Sequence, residues 1–332
     1  SSAAPFNAPQ DLAIAQLVAT AFPEWLGLAR PGRIGSFLLR QGRGAALPDT
    51  DRLSNAEALA VAQLDLKDRD ARIRLAVVLS RSTLETMAEA QGEWRDLVIW
   101  DDKRQRIRAE RVLTLGALEL QRHQLPRPAP DLVSDVLLQR LREQGLDLLP
   151  WNDRCEQLRR RLQIAHRHLG EPWPDRSLNA LQDAPERWIR EASLSCSSWQ
   201  DLDSESLCEA LWGELSWPRR RDLDALLPER LRIPSGRDAR LTYGEEDVVL
   251  AVKLQEMFGC TQGPVLLNGT FPVTLELLSP AGRPLQRTRD LRGFWCGSYK
   301  DVRREMRGRY PKHPWPEAPM TAVPTSRTKK SS

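Results

Sequence analysis

The spacing of apolar residues changes along the chain and divides it into stretches of different character. Residues 11–21 repeat at helical spacing, with Asp11 placed to cap the start after Pro9 and Pro23 placed to end it. Between 34 and 124 the period shortens to two. Short strands are predicted at 34–39, 45–47, 59–66, 72–78, 94–100, 106–113 and 115–124, with turns at Gln41-Gly42-Arg43-Gly44 and Asp101-Asp102-Lys103. One helix, 82–90, interrupts them and is capped by Ser80 or Ser82. Several short strands around a single helix suggest a small closed barrel, OB-like in kind.

The run Pro126-Arg127-Pro128-Ala129-Pro130 reads as a stiff linker and as the best domain boundary. Helical spacing returns at 131–144, 153–169, 177–192 and 203–215, with a short helix after Pro218. Trp151, Trp173, Trp188, Trp199, Trp212 and Trp217 lie in or beside these helices and are assigned to core packing. Beyond 230 the pattern is mixed, with strands at 231–233, 239–243, 248–252 and 273–278 and a helical turn or two at 254–258. The fold class is therefore α+β. A small OB-like β-barrel precedes a larger mixed domain with a helical half, short strands and a C-terminal basic helix.

That last helix lies within residues 283–316. Trp295, Tyr299, Val302 and Met306 recur at i, i+4, i+7 and i+11, which puts them on one stripe. Lys300, Arg303, Arg304 and Arg307 form a second stripe, centred roughly 110° away at 100° per residue. Gly308 is a plausible stop and Pro311 prevents continuation.

Charge sharpens this picture. Residues 283–332 hold thirteen Lys/Arg against four acids, a local +9 in a chain whose net charge is only +4. The candidate binding residues are Arg283, Arg287, Arg289, Arg292, Lys300, Arg303, Arg304, Arg307, Arg309 and Lys312. Arginine matches phosphate oxygens in a bidentate fork, and the interleaved Trp295, Tyr299, Tyr310 and Trp315 could stack bases. The plain alternative is the solvated face of an amphipathic helix.

Other chemistry is sparse. No Gly-Lys dipeptide occurs, so a G-x-x-x-x-G-K-[ST] phosphate loop is absent, as is any Asp-Glu pair for a metal-and-water site of the helicase kind. His166 and His168 are two residues apart on a helix and point to different faces, which argues against zinc. No catalytic or metal-binding set is expected. Five cysteines without a C-x-x-C suit a reducing cytoplasm, and no apolar run reaches the ~18 residues of a membrane span. The chain begins with Ser and its first Met is Met87, so a piece of a longer protein is expected.

The residues VTLELLSPAGRPLQRTRDLRGFWCGSYKDVRREMRGRYPKHPWPE (273–317), with TAVPTSRTKKSS at the end, resemble the C-terminal signature of the HrpB family of bacterial DEAH-box ATP-dependent RNA helicases. LRIPSGRDARLTY (231–243) and LAVKLQEMFG (250–259) are similar to the family's preceding segments, and LLRQGRGAAL (38–47) to the start of the OB barrel in DEAH/RHA-type helicases. The resemblance covers essentially all of residues 11–332. It implies two RecA-like motor domains upstream, which would hold ATP and Mg²⁺, none being expected in this chain. It also implies the end of an upstream helical segment at 1–30, the barrel at 31–125, the helicase C-terminal domain at 126–316 and a disordered tail at 317–332. Relatives follow the Phe-Pro pair with a basic run. Here Phe22-Pro23 leads into EWLGLARP (24–31), so an RNA contact from such a run is not carried over.

In related helicases the barrel can touch the RNA strand, which makes Arg43 a candidate contact; a packing role in its turn is the alternative. Two functions are expected. One is an accessory region that binds or guides nucleic acid, single-stranded RNA foremost. The other is a structural module that docks on the motor domains in cis or on another protein.

Overall fold

The first element forms one turn earlier than its spacing predicts. In the computed structural model, which describes residues 8–66 and 70–326, α1 (Ala8–Ala21) takes Pro9 into its first turn instead of starting after it. Proline is tolerated there because its missing N–H would have had no helical partner, so Asp11 is not the cap. The chain divides into two compact units, Ser1–Val136 and Leu137–Ser332.

In the first unit, β1 (Leu26–Ala29), β2 (Ser36–Leu39), β3 (Gly44–Ala46), β4 (Ala58–Asp65) and β5 (Ala71–Leu79) close into a barrel. The order around it is β1-β2-β3-β5-β4, with β3 and β5 parallel and the other pairs antiparallel. Alternation along β4 shows how the wall is built. Leu59 and Val61 point into the barrel with Phe37, Leu39 and Ile73, while Ala58 and Ala60 face a second core with Leu26 and Leu79. α2 (Arg81–Gln91) starts at Ser80, whose hydroxyl accepts the Thr83 N–H at 3.1 Å. β6 (Glu93–Asp101), β7 (Arg106–Leu115) and β8 (Leu118–Gln124) then form a separate three-stranded antiparallel sheet.

Two expectations are corrected here. Residues 26–29, assigned to an upstream helical segment, are a barrel strand. Leu-Gly-Leu-Ala has no β-branched residue and no polar alternation to announce it. Strands 93–124 stand outside the barrel, because pairing of β1 with β4 leaves the ring no free edge. They cover the second core instead, where Leu113, Leu115, Leu118 and Leu120 meet Leu84 and Ala88 of α2.

The division between units falls within α3 (Pro130–Gln144). α4 (Asp153–Leu169) runs through the second unit, capped by Asn152 and ended at Gly170, and buries Cys155, Leu158, Leu162 and Ala165 along one face. The helix expected over 177–192 is broken into α5 (Leu178–Asp183) and α6 (Arg190–Ser193) by a 3₁₀ turn that begins at Pro185. α7 (Ser204–Trp212) and α8 (Trp217–Leu226) follow. Trp173, Trp188 and Trp199 are buried as expected, whereas Trp217 is 75% exposed.

β9 (Arg230–Arg232), β10 (Asp238–Tyr243) and β11 (Val248–Lys253) lead to a small hairpin of β12 (Val265–Leu266) and β13 (Phe271–Pro272), then to β14 (Thr274–Leu278) and β15 (Pro284–Thr288). The five-stranded sheet has the order β15-β14-β11-β10-β9, so β15 is an edge. The basic stretch therefore starts as a strand. It continues as α9 (Leu291–Cys296) and α10 (Tyr299–Arg309), separated at Gly297-Ser298. Gly308 lies inside α10 and is not the stop; Tyr310 caps the helix ahead of Pro311. Residues 317–326 are not a free tail. The Gly259 N–H donates to the Pro319 carbonyl at 2.9 Å and the Thr325 N–H to the Gln255 carbonyl at 3.0 Å. Arg327, Lys329 and Lys330 lie outside the described residues. Among the described residues no helix is long and apolar enough to cross a membrane.

Candidate nucleic-acid interface

The apolar stripe pins the basic helix. Trp295, Tyr299 and Met306 are buried, and Val302 is half-buried. Trp295 and Tyr299 meet edge to face at 5.2 Å between ring centres, beside Phe258 and Phe294. Each polar handle is tied down. Trp295 Nε1 donates to the Cys260 carbonyl at 2.8 Å, Tyr299 Oη to that of Pro316 at 2.8 Å, and Trp315 Nε1 to that of Tyr310 at 3.0 Å. Burial pushes the Tyr299 phenol up to about 12, with Arg303 pulling the other way. Trp295, Tyr299 and Trp315 are thus core residues, closed to a stacking base. Tyr310 is half-buried and packs edge-on against His313.

The ten candidate cations of this stretch fall into three groups. Arg283, Arg292, Lys300, Arg307 and Lys312 are exposed, and their side chains have no hydrogen-bond or ion-pair partner among the described residues. Arg304 and Arg309 reach Asp301 at 3.3 Å and Glu305 at 3.7 Å, all four side chains more than half exposed. Such helix-surface pairs hold the cation weakly, so both remain available. The last three have structural tasks. Arg287 on β15 pairs with Asp247 at 2.5 Å, and Arg289 Nε donates to Thr274 Oγ1 at 2.9 Å. Arg303 clasps the chain beyond the helix, donating to the Trp315 carbonyl at 2.9 Å and to Glu317 at 2.7 Å.

Helical spacing brings Lys300, Arg303, Arg304 and Arg307 onto one face of α10. Arg43 lies in the other unit, half-buried, with Nη2 donating to the Leu66 carbonyl at 3.0 Å. The histidines also have structural partners. His166 Nδ1 is 2.7 Å from the Trp173 carbonyl oxygen, and His168 packs edge-on against Phe271.

Most of the chain is similar to known proteins. Residues 188–319 match the family described as ATP-dependent helicase C-terminal. The ATP-dependent RNA helicase HrpB of Escherichia coli (strain K12) is 40% identical over 324 residues, covering 96% of this chain and 40% of the relative. The chain is a partial, HrpB-like C-terminal region. Two solved structures are similar to it. The crystal structure of the E. coli DExH-box NTPase HrpB has a TM-score of 0.59 at 38% identity, over 95% of this chain and 39% of that one. The crystal structure of the Escherichia coli DEAH/RHA helicase HrpB has a TM-score of 0.52 at 35% identity, over 91% and 38%. The chain spans about 40% of the length of the curated relative it matches.

The glycine turn that most resembles a phosphate cradle, Gly42-Arg43-Gly44, opens into strand β3 and not into a helix N-terminus. One feature escaped the charge pattern. Arg220 lies between the rings of Trp212 and Trp217, its guanidinium carbon 5.1 and 5.2 Å from their centres, at the lining of a cavity of about 300 Å³. The run Trp217-Pro218-Arg219-Arg220-Arg221 was its only signal in sequence.

Proposed function

We propose that this region serves an ATP-dependent RNA helicase as an accessory that binds or guides single-stranded RNA. The cations before and along α9 and α10, and Lys312 beyond them, form the contact. ATP and Mg²⁺ belong to motor domains elsewhere in the same protein, which are its partners in cis. The barrel is OB-like, with Arg43 a secondary contact, and the five free cysteines suit a reducing cytoplasm.

One observation carries the reading. Much of the second unit's arginine is answered by carboxylates, yet Arg283, Arg292, Lys300, Arg307 and Lys312 are exposed and unanswered among the described residues. Cations left in solvent cost no desolvation and are ready to displace the counterions of a phosphate chain.

A salt titration of RNA binding tests it. The chain is expected to bind single-stranded RNA in a salt-sensitive manner, with roughly 0.7 in log–log slope for each phosphate neutralised. Charge reversal at Lys300, Arg307 and Lys312 is expected to weaken binding and flatten that slope. Arg303 is left out of this variant, since its loss would disturb the fold. RNA affinity indifferent to the triple change, together with tight association between the chain and separately expressed motor domains, would replace this reading with a docking module.

A further inference from the structure

We infer that the Trp217 indole, with Arg221 beside it, forms a nucleotide-binding pocket on the α7–α8 face, in which a base stacks on the ring and its phosphate meets the guanidinium.

The argument begins with an exposed tryptophan. Trp217 leaves 75% of its surface in solvent, the most of any large hydrophobic but Val323 among those exposed. Burying an indole is worth so much that leaving one out calls for a reason. The ring is nonetheless held. Arg220 stacks over it on one side and over Trp212 as well. That guanidinium is itself anchored, Nη1 on Glu209 at 2.7 Å and Nε on the Leu215 carbonyl at 3.2 Å. An indole backed on one side and open to solvent is a pre-organised platform for a second flat group.

Charge in the pocket selects the group. The lining carboxylates are already answered: Glu205 by Arg154, Glu209 by Arg220, and Asp224 and Glu229 by the buried Arg161. Arg221, also in the lining, is exposed and has no partner among the described residues. The four guanidiniums and four carboxylates of the lining cancel in formal charge, because Arg161 serves two carboxylates, and Arg221 is the guanidinium left without a carboxylate of its own, next to one aromatic face. A π-face and a single phosphate are what a nucleotide presents, and base–aromatic stacking tolerates any base. A cavity of about 300 Å³ is at the small end of ligand sites.

The ligand is either a free mononucleotide or one nucleotide of a single-stranded chain; the latter rests on the RNA-binding reading above. The test uses the full chain, a labelled oligoadenylate followed by anisotropy, and AMP followed by the Nε1–H resonance of Trp217. Trp217→Ala is expected to weaken oligoadenylate binding about tenfold, the size of one lost stack, with the salt slope unchanged. Trp217→Tyr should retain binding, and Arg221→Ala should lower the slope by roughly 0.7. Weak Trp217→Ala binding with an unaffected Lys300/Arg307/Lys312 variant would uphold the pocket and remove the basic strip. AMP binding without RNA binding would uphold the pocket as a mononucleotide site and remove the RNA reading. RNA affinity within about twofold of the parent in Trp217→Ala, or a chain that binds neither probe, overturns the pocket.

Discussion

Two helices of the same unit use arginine in opposite ways. In α4, Arg159 and Arg161 are buried, 1% and 2% exposed. Arg159 bonds to Glu245 and to the Arg176 carbonyl, and Arg161 to Asp224, Glu229 and the Leu227 carbonyl. In α10, Lys300 and Arg307 stand in solvent with no partner among the described residues. A buried guanidinium must be answered at once, because desolvation is costly and mutual attraction repays it only with full hydrogen bonding. Arg176 shows the cost: burial draws it down to about 10, although Nε reaches the Leu211 carbonyl at 2.8 Å. A solvated cation needs no such answer and stays available to a partner. Counting charges along the chain does not separate the two cases; burial and pairing do.

The sharpest way to break this contrast is at α4. Glu245→Ala leaves Arg159 buried with only Glu156, at 3.5 Å, as a carboxylate partner. Glu245 is half exposed and screened, so a loss of about 2 kcal/mol in a denaturant titration is expected. The pH dependence should change with it. The Arg159 hydrogen bond holds the Glu245 carboxyl below its ordinary value, against the opposing pull of burial. A carboxyl lowered in the folded state contributes stability that is full above its unfolded pKa and is lost as pH falls through the folded one. The parent chain should therefore lose stability on acidification below about pH 4.5, and Glu245→Ala should show a shallower acid limb.

A smaller effect is expected at Arg303, the one member of the α10 stripe with an internal task. Arg303→Ala removes its bonds to Trp315 and Glu317, and should cost about 1 kcal/mol. Hydrogen exchange should quicken in residues 313–326 more than in α4. The smallest effect on stability belongs to Lys300→Ala with Arg307→Ala, expected within about 0.5 kcal/mol in the same titration. A loss there as large as at Glu245 would mean that these side chains support the fold and would erase the contrast.

Much of this architecture was legible along the chain. Period two announced the strands of β4, β5, β6 and β7, and period 3.6 announced α3 and α4. Trp295, Tyr299 and Met306 are all buried as their spacing suggested, although the helix that spacing announced is interrupted at Gly297-Ser298. Other features were hidden for physical reasons. β1 consists of small and unbranched residues whose strand state depends on two neighbours, β2 and β4. Gly308 bore the mark of a stop, yet nothing lies within 4 Å of where its Cβ would be and the helix passes through it. Trp217 looked like core by residue type, and only its place at the mouth of a cavity exposes it.

Periodicity and composition determined where most of the helices and strands form and that a cationic excess is concentrated near the C-terminus. Those properties are local sums over neighbouring residues, and the linear order contains them. Tertiary structure decided which strands close the barrel, which aromatics are spent on the core, and which cations are already paired. Asp247 reaches Arg287 across 40 positions and Glu245 reaches Arg159 across 86. The free charge on the 283–312 stretch is what remains after such distant partners have been taken, and only the folded chain brings them together.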